Sequence, residues 1–328
     1  MSKSAASNSS PAAEIHQVTI GGSAAGDAPD LTLSVTERGE GPAVVLLHGF
    51  PEIGYSWRYQ IEALANAGYR VIAPDQRGYG WSDTPDDATA YDISHLVGDV
   101  VGLLDHFEID DAVVVGHDWG SLVAPSVGLF RPNRVRAVAM LSVPYQPRQN
   151  VSVIDHIHTT DPDGPFSYIL AFQEPGLEEL LDADPIGTLR RIYWSQSGDR
   201  PDDFQRDDDP PPGLPPHLSQ GEFENYCRAF ARSGFGGGIN YYRNLHRNWE
   251  LTRPWHGAPL TMPTMFLAGS RDFLANEGDG GLGSPYAAMA DNCADFRGTT
   301  IVDGAGHWVQ QEAPEAVNNA LLEFLAGL

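Results

Sequence analysis

An aspartate stands at 118 in Gly116-His117-Asp118-Trp119-Gly120, directly after the apolar run Ala112 to Val115. A strand, a tight turn of the form G-x-Nu-x-G and a helix lift the middle side chain to the top of a sheet, where it can act as a nucleophile. Here that residue is Asp instead of Ser, and the change constrains the chemistry. A carboxylate with a reference pKa of about 3.9 is ionised at neutral pH without help from a base. It can attack a saturated carbon, displace an oxygen or a halide, and leave an ester. Attack on an amide or an ester would instead give an anhydride, which is far less favourable. The N-terminus of the following helix stabilises the charge. Read plainly, the same five residues are a βα turn with Asp as an N-cap, so a nucleophile needs partners elsewhere in the chain.

His307 is the first. It sits in Gly304-Ala305-Gly306-His307-Trp308, just after the strand-like run 300–302. A neutral imidazole there can take a proton from water near pH 7. The other ten histidines, His95 and His246 among them, read as surface or packing residues. An orienting acid belongs between nucleophile and base in chain order. Asp272, in Gly269-Ser270-Arg271-Asp272 after the run 264–268, fits that order, with Asp279 and Asp303 as rivals. After the run ending at Val143 comes Pro144, so that alternative position holds no carboxylate. His48-Gly49-Phe50-Pro51 follows the first buried run, and the backbone N–H groups of Phe50 and Trp119 can form an oxyanion hole. A cis bond before Pro51 fits such a turn.

These residues need a scaffold that brings strand ends together. Short apolar runs recur at Ala43–Leu47, 70–73, 112–115, 135–143, 264–268 and 300–302. Runs of this length bounded by Gly, Asp or Pro read as strands buried on both faces. Helical patterns separate them: one ending near 67, then 94–106, 121–130 and a last one over 315–325. Strands alternating with helices imply an α/β fold, a mostly parallel sheet covered on both sides. Residues 17–20 and 31–35 alternate polar and apolar and read as an antiparallel hairpin at the sheet edge. In such a sheet the site lies at the carboxyl ends of the strands. Pro125, inside the helix after Asp118, predicts a kink or an early end. The stretch 145–255 breaks the rhythm and reads as a mainly helical cap inserted between two strands. Its loop 198–217, dense in Asp and Pro, is expected to be solvent-exposed. The organisation expected is therefore a disordered tail over 1–13, a core of 14–144 and 256–328, and the cap.

Composition narrows the partners. The 328 residues include 44 Asp plus Glu against 20 Lys plus Arg, a formal charge of −24. Nucleic acid needs a basic footprint and anionic lipid repels such a chain, so neither is an expected partner. The acidity reads as solubility or adaptation to salt, with exclusion of anionic substrates as the sharper alternative. The first thirteen residues hold one Lys and no apolar run, so they form neither a signal peptide nor an anchor, and no run elsewhere is long enough to span a membrane. Cys227 and Cys293 have no metal-ligand spacing and read as free thiols in a reducing, cytoplasmic compartment.

With these residues in view, the chain resembles a soluble epoxide hydrolase of the α/β-hydrolase superfamily. The matching segments are H-G-F-P-E at 48–52, S-W-R-Y-Q at 56–60, D-Q-R-G-Y-G at 75–80, G-H-D-W-G at 116–120, F-Q-E-P-G at 172–176, Y-Y-R-N at 241–244 and G-H-W-V-Q at 306–310. G-x-D-x-G alone is shared with dehalogenases, whereas the cap segments are more specific. The resemblance implies that two cap tyrosines, Tyr168 and Tyr242, point at the nucleophile. An opening epoxide develops negative charge on oxygen, which two neutral phenols stabilise. It also implies structural support from Asp75 and Arg77, and an apolar substrate pocket lined by Trp119, Phe50 and Phe172. Tyr241 stands where the family pattern has Trp, and residues 277–283, with four glycines, lengthen the loop after Asp272. The expected activity is conversion of apolar epoxides and water to vicinal diols, with no cofactor and no metal. The sequence allows a homodimer without indicating one. The alternatives are a haloalkane dehalogenase, which would want a halide donor where Phe50 stands, and a non-catalytic ligand-binding protein on the same fold.

Overall fold

The structure, a computed structural model, describes residues 12–21, 30–201, 210–274 and 289–328. The insertion at 277–283 and Asp279 lie outside them, as does most of the tail. An eight-stranded sheet runs in the order β1-β2-β4-β3-β5-β6-β7-β8. Its strands are β1 (Glu14–Ile20), β2 (Leu31–Arg38), β3 (Ala43–Leu47), β4 (Arg70–Pro74), β5 (Ala112–His117), β6 (Val135–Leu141), β7 (Leu260–Gly269) and β8 (Cys293–Val302). From β4 through β8 all pairs are parallel, while β1 and β2 form the expected antiparallel pair at one edge. The chain passes from β3 outward to β4 and then back across to β5 on the other side of β3. The carboxyl ends of β3 and β5 therefore flank the point where strand order reverses, which is where an open α/β sheet presents its site.

The strand interiors explain themselves. Every residue of β3 and of β5 is buried. Val45, Leu47 and Val114 face one core, while Val44, Leu46, Val113 and Val115 face the other. Each such side chain contributes about 1.5–3 kcal/mol by leaving water. Helices α1 (Arg58–Asn66), α2 (Ile93–His106) and α3 (Trp119–Phe130) cover the two faces. Helix α3 runs through Pro125 to Phe130, so the proline does not end it. Packing of α3 on β5 and β6 outweighs the one hydrogen bond that a proline removes.

Between β6 and β7 the described chain holds helices alone: α4 (Val153–Thr160), α5 (Ser167–Ala171), α6 (Leu177–Asp182), α7 (Pro185–Ser195), α8 (Gln220–Ser233), α9 (Gly236–Arg243) and α10 (Leu245–Leu251), with short 3-10 turns. Helix α8 opens with a full capping box of Ser219 and Glu222, and Asp184 caps α7. After the sheet come α11 (Met289–Asn292), α12 (Val309–Glu312) and α13 (Pro314–Ala326). Among the described residues no helix is long and apolar enough to cross a membrane.

Candidate active site

Asp118 leaves β5 with φ of 51° and ψ of −113°, a left-handed backbone that is costly for a residue with a Cβ. Its surroundings hold it there. A Cβ on Gly116 would overlap the Gly120 carbonyl, and one on Gly120 would overlap the Leu47 carbonyl, so the turn needs both glycines. Ser121 Oγ lies 2.6 Å from the Gly116 carbonyl and accepts the Leu141 N–H at 2.9 Å. Asp118 occupies the N-cap position of α3, yet its side chain accepts none of that helix's N–H groups. Instead Oδ1 accepts the Phe50 N–H at 2.8 Å, and Oδ2 lies 3.6 Å from His307 Nε2. The plain N-cap explanation of this aspartate fails on that geometry. Trp119 is the first residue of α3, where an N–H has no acceptor within the helix. The Phe50–Pro51 peptide bond is cis.

His307 follows β8, and its Nδ1 lies 3.1 Å from Asp272 Oδ2. Asp272 is fully buried, and its Oδ1 accepts the Leu274 N–H at 3.0 Å. Asp303 is instead near Ser270 Oγ, at 3.4 Å on the surface, away from the histidine. Asp118, His307 and Asp272 thus form one continuous chain of contacts. Burial opposes charge on the His307 ring, but the Asp272 charge and hydrogen bonds to Asp118 and Asp272 outweigh it and push the imidazole up to about 10. For Asp118, burial alone would raise the carboxyl. The hydrogen bond and charge of His307, then His117 and the Phe50 N–H, hold it below the usual carboxylate range. The resting site is therefore a carboxylate beside an imidazolium. The cause is one ring held between two carboxylates, and the neutral imidazole expected for attack by water would arise once Asp118 has lost its charge.

Tyr242 on α9 is buried and Tyr168 on α5 is half-buried, with their ring centroids 6.0 Å apart. Both line a cavity of about 380 Å³ that Asp118 and Trp119 also line. Burial, then the nearby charge of Asp118, raises the Tyr242 phenol well above its ordinary value, so it is a neutral donor. Leu122, Leu129, Ile157, Phe166, Ile169 and Trp249 make much of the remaining wall apolar. Of the three aromatics expected on the wall, only Trp119 is there. Phe50 and Phe172 stand behind Tyr242, with ring centroids 5.7 and 4.7 Å from it, and hold it by edge-to-face packing.

Asp75 and Arg77 brace the loops around the site. Asp75 accepts the Gly54 N–H at 2.8 Å and the Trp81 N–H at 3.1 Å, and burial pushes its carboxyl up to about 6. Arg77 Nε donates to Asp99 at 2.6 Å, and the Arg77 carbonyl accepts the Tyr241 hydroxyl at 3.0 Å. Tyr241 thereby ties α9 to the core while packing edge-on to Trp119.

One buried pair went unnoticed at the level of sequence. His117 Nδ1 lies 2.7 Å from Glu52 Oε2, and its Nε2 lies 2.8 Å from the His307 carbonyl. Glu52 also accepts Nε2–H of Gln310 and of Gln311, each at 2.9 Å, and the Gly49 N–H at 3.2 Å. Burial opposes the Glu52 charge, but His117 holds the carboxyl below its ordinary value. The segments H-G-F-P-E and G-H-D-W-G contain the two residues, but 65 positions separate them and no local pattern joins them.

The family model for the alpha/beta hydrolase fold matches residues 42–314. The chain is 44% identical over 322 residues to epoxide hydrolase A of Mycobacterium tuberculosis, covering 92% of this chain and 96% of that protein. It is 38% identical to an epoxide hydrolase of Caballeronia sordidicola, covering 90% and 91%. Among solved structures, epoxide hydrolase A from Mycobacterium thermoresistibile superposes with a TM-score of 0.86 at 42% identity, over 97% of this chain and 99% of that one. An epoxide hydrolase from an endophytic Streptomyces gives 0.87 at 36% identity, over 96% of each. With the Asp118–His307–Asp272 geometry these likenesses agree, and the chain belongs to the epoxide hydrolases of the α/β-hydrolase fold.

Proposed function

We propose that the protein converts apolar epoxides to vicinal diols through an ester on Asp118. Asp118 attacks a ring carbon in line while Tyr168 and Tyr242 hydrogen-bond the departing oxygen. The C–O bond of the ring breaks, an Asp118 ester forms, and the alkoxide gains a proton by way of the phenols. His307, oriented by Asp272, then takes a proton from water, and that water adds to the Asp118 carbonyl carbon. The N–H groups of Phe50 and Trp119 stabilise the tetrahedral oxyanion, which collapses to diol and free Asp118. The helical segment 145–255 acts as the cap that brings the phenols over the nucleophile and keeps water from the ring-opening step.

A single observation carries this proposal. A carboxylate that caps no helix faces two tyrosines across an apolar cavity, with a buried His–Asp pair behind it. Two phenol donors suit an alkoxide leaving group, and the apolar wall suits a substrate without charge.

The test is oxygen isotope tracing with styrene oxide in oxygen-18 water. A first turnover should give diol without label, because its new oxygen comes from Asp118. That same turnover should place the label in the Asp118 carboxyl, read in the peptide that contains it, and further turnovers should pass it to the diol. Labelled diol in the first turnover, with Asp118 unlabelled, would mean direct attack by water and no ester.

A further inference from the structure

The loop carrying His307 is held by a carboxylate that takes no part in the steps above. Glu312, the last residue of α12, turns back toward the residues that precede its helix. Its Oε2 accepts the Gly306 N–H at 2.8 Å, and its Oε1 accepts the Trp308 N–H at 3.1 Å. Those are the residues immediately before and after His307. The same Oε2 accepts the Gly198 N–H at 2.8 Å, in the turn that leaves α7. That turn meets the loop a second time, because the His307 N–H donates to the Gln196 carbonyl at 2.9 Å. The two backbones touch directly: a Cβ on Gly306 would overlap the Gly198 N and the Gln196 carbonyl. Beside them the Arg271 N–H donates to the Ala305 carbonyl at 2.9 Å, and Arg271 Nη2 donates to the Arg200 carbonyl at 3.1 Å. Asp272 is the next residue.

We propose that Glu312 is a positioning residue for the hydrolytic half of the reaction, fixing the loop that aims His307 at the ester and tying that loop to the turn after α7. The inference rests on the ester proposed above. Ester formation uses Asp118 and the two phenols, none of which Glu312 touches. Ester hydrolysis uses His307 Nε2 on a water, and a displacement of about 1 Å at such a group costs about 10²-fold. Burial pushes the Glu312 carboxyl up to about 7, although the three N–H groups, each of which favours the ionised form, pull it down. A glutamine at 312 keeps the shape but turns an NH₂ toward N–H donors, so at least one of the three hydrogen bonds is lost.

The experiment uses the full chain, with wild type, Glu312→Gln, Glu312→Asp and His307→Gln mixed with excess styrene oxide and quenched in acid. Intact mass reports the fraction of enzyme carrying the ester over time. Glu312→Gln should form the ester within about 3-fold of the wild-type rate and hydrolyse it about 10- to 100-fold more slowly, so that ester accumulates. Glu312→Asp keeps the charge and should recover part of the hydrolysis rate, which also serves should the Gln variant prove too unstable to purify. Equal loss of both rates, or a loss only in the fraction of folded enzyme, overturns the positioning role. His307→Gln should trap the ester, and its absence there and in every other variant would sink the ester itself, an outcome distinct from failure of Glu312 alone.

Discussion

Replacing Asp118 by Asn should lower the His307 imidazole from about 10 to about 7. The ring lies between two carboxylates, with Nε2 3.6 Å from Asp118 Oδ2 and Nδ1 3.1 Å from Asp272 Oδ2. At 3.6 Å and an effective dielectric of about 20, the attraction to Asp118 is about 4–5 kcal/mol. At 1.36 kcal/mol per unit, that is about 3 pKa units. Asn removes this charge and keeps the shape. Ester formation removes the same charge, so the substitution reports what the reaction does to the base. The assay is NMR of protein labelled at histidine Cε1, titrated from about pH 5.5 to 11, with the His307 signal identified by its absence in His307→Gln. A wild-type midpoint near the ordinary 6.5, or a midpoint that Asp118→Asn moves by less than about one unit, would refute the two-carboxylate explanation.

Tyr168→Phe and Tyr242→Phe should each slow ester formation by about 10²- to 10³-fold while leaving substrate affinity nearly unchanged. Rapid mixing can follow this through Trp119 fluorescence, and a phenol whose loss leaves the rate intact is not a donor. Glu52→Ala should destabilise the fold by about 1–3 kcal/mol, because it leaves the buried N–H groups of Gln310, Gln311 and Gly49 without their acceptor. Urea unfolding measures it, and a loss below about 0.5 kcal/mol would mean that these donors do not depend on the carboxylate. For His307 the folded value lies above the unfolded 6.5, so its stabilisation is complete below about pH 6.5 and is lost as pH rises through about 10. The stability gap between wild type and His307→Gln should shrink over that window, and a gap that widens with pH reverses the sign and the explanation.

Legibility from sequence followed burial. Strands β3 and β5 are buried on both faces, and their unbroken apolar runs announced them. Strand β8 is an edge strand with half of its residues exposed, so only its last few residues looked like a strand. The first half of β7 was hidden by Pro263, where the pairing register shifts because proline donates no ladder hydrogen bond. Helix α3 starts at Trp119 instead of 121, since the elbow turns into the helix without a spacer. The identities of Asp118, Asp272 and His307 were readable because the turn chemistry is local and their order is imposed by the fold. The charge on His307 was not, because residue types carry no distances, and two contacts of 3.1 and 3.6 Å decide it. Which aromatics meet the cavity was equally hidden. Phe50 and Trp119 both follow strand ends, but only the second lines the cavity.

The protonated histidine also answers a question that the nucleophile raises. A carboxylate that opens an epoxide produces an alkoxide, and that alkoxide needs a proton inside a mostly apolar cavity. The tyrosines can relay one, but Tyr242 is too weak an acid to remain ionised there. If His307 began neutral, the triad would start at −2, and after ring opening Asp272 and the alkoxide would still carry −2 between them, with no donor among the three residues. With His307 protonated, the triad begins at −1. Once ring opening has formed the ester, Asp118 is neutral, the imidazolium has lost the partner that held its proton, and that proton can pass through the phenols to the alkoxide. The triad stays at −1, so no net charge is added to a site where charge is costly to bury. The same transfer leaves His307 neutral as the ester appears, which is the form that can activate water. On the proposed mechanism, one ring held between two carboxylates therefore stores the proton that the alkoxide takes after the ester has formed, and is left as the base for ester hydrolysis.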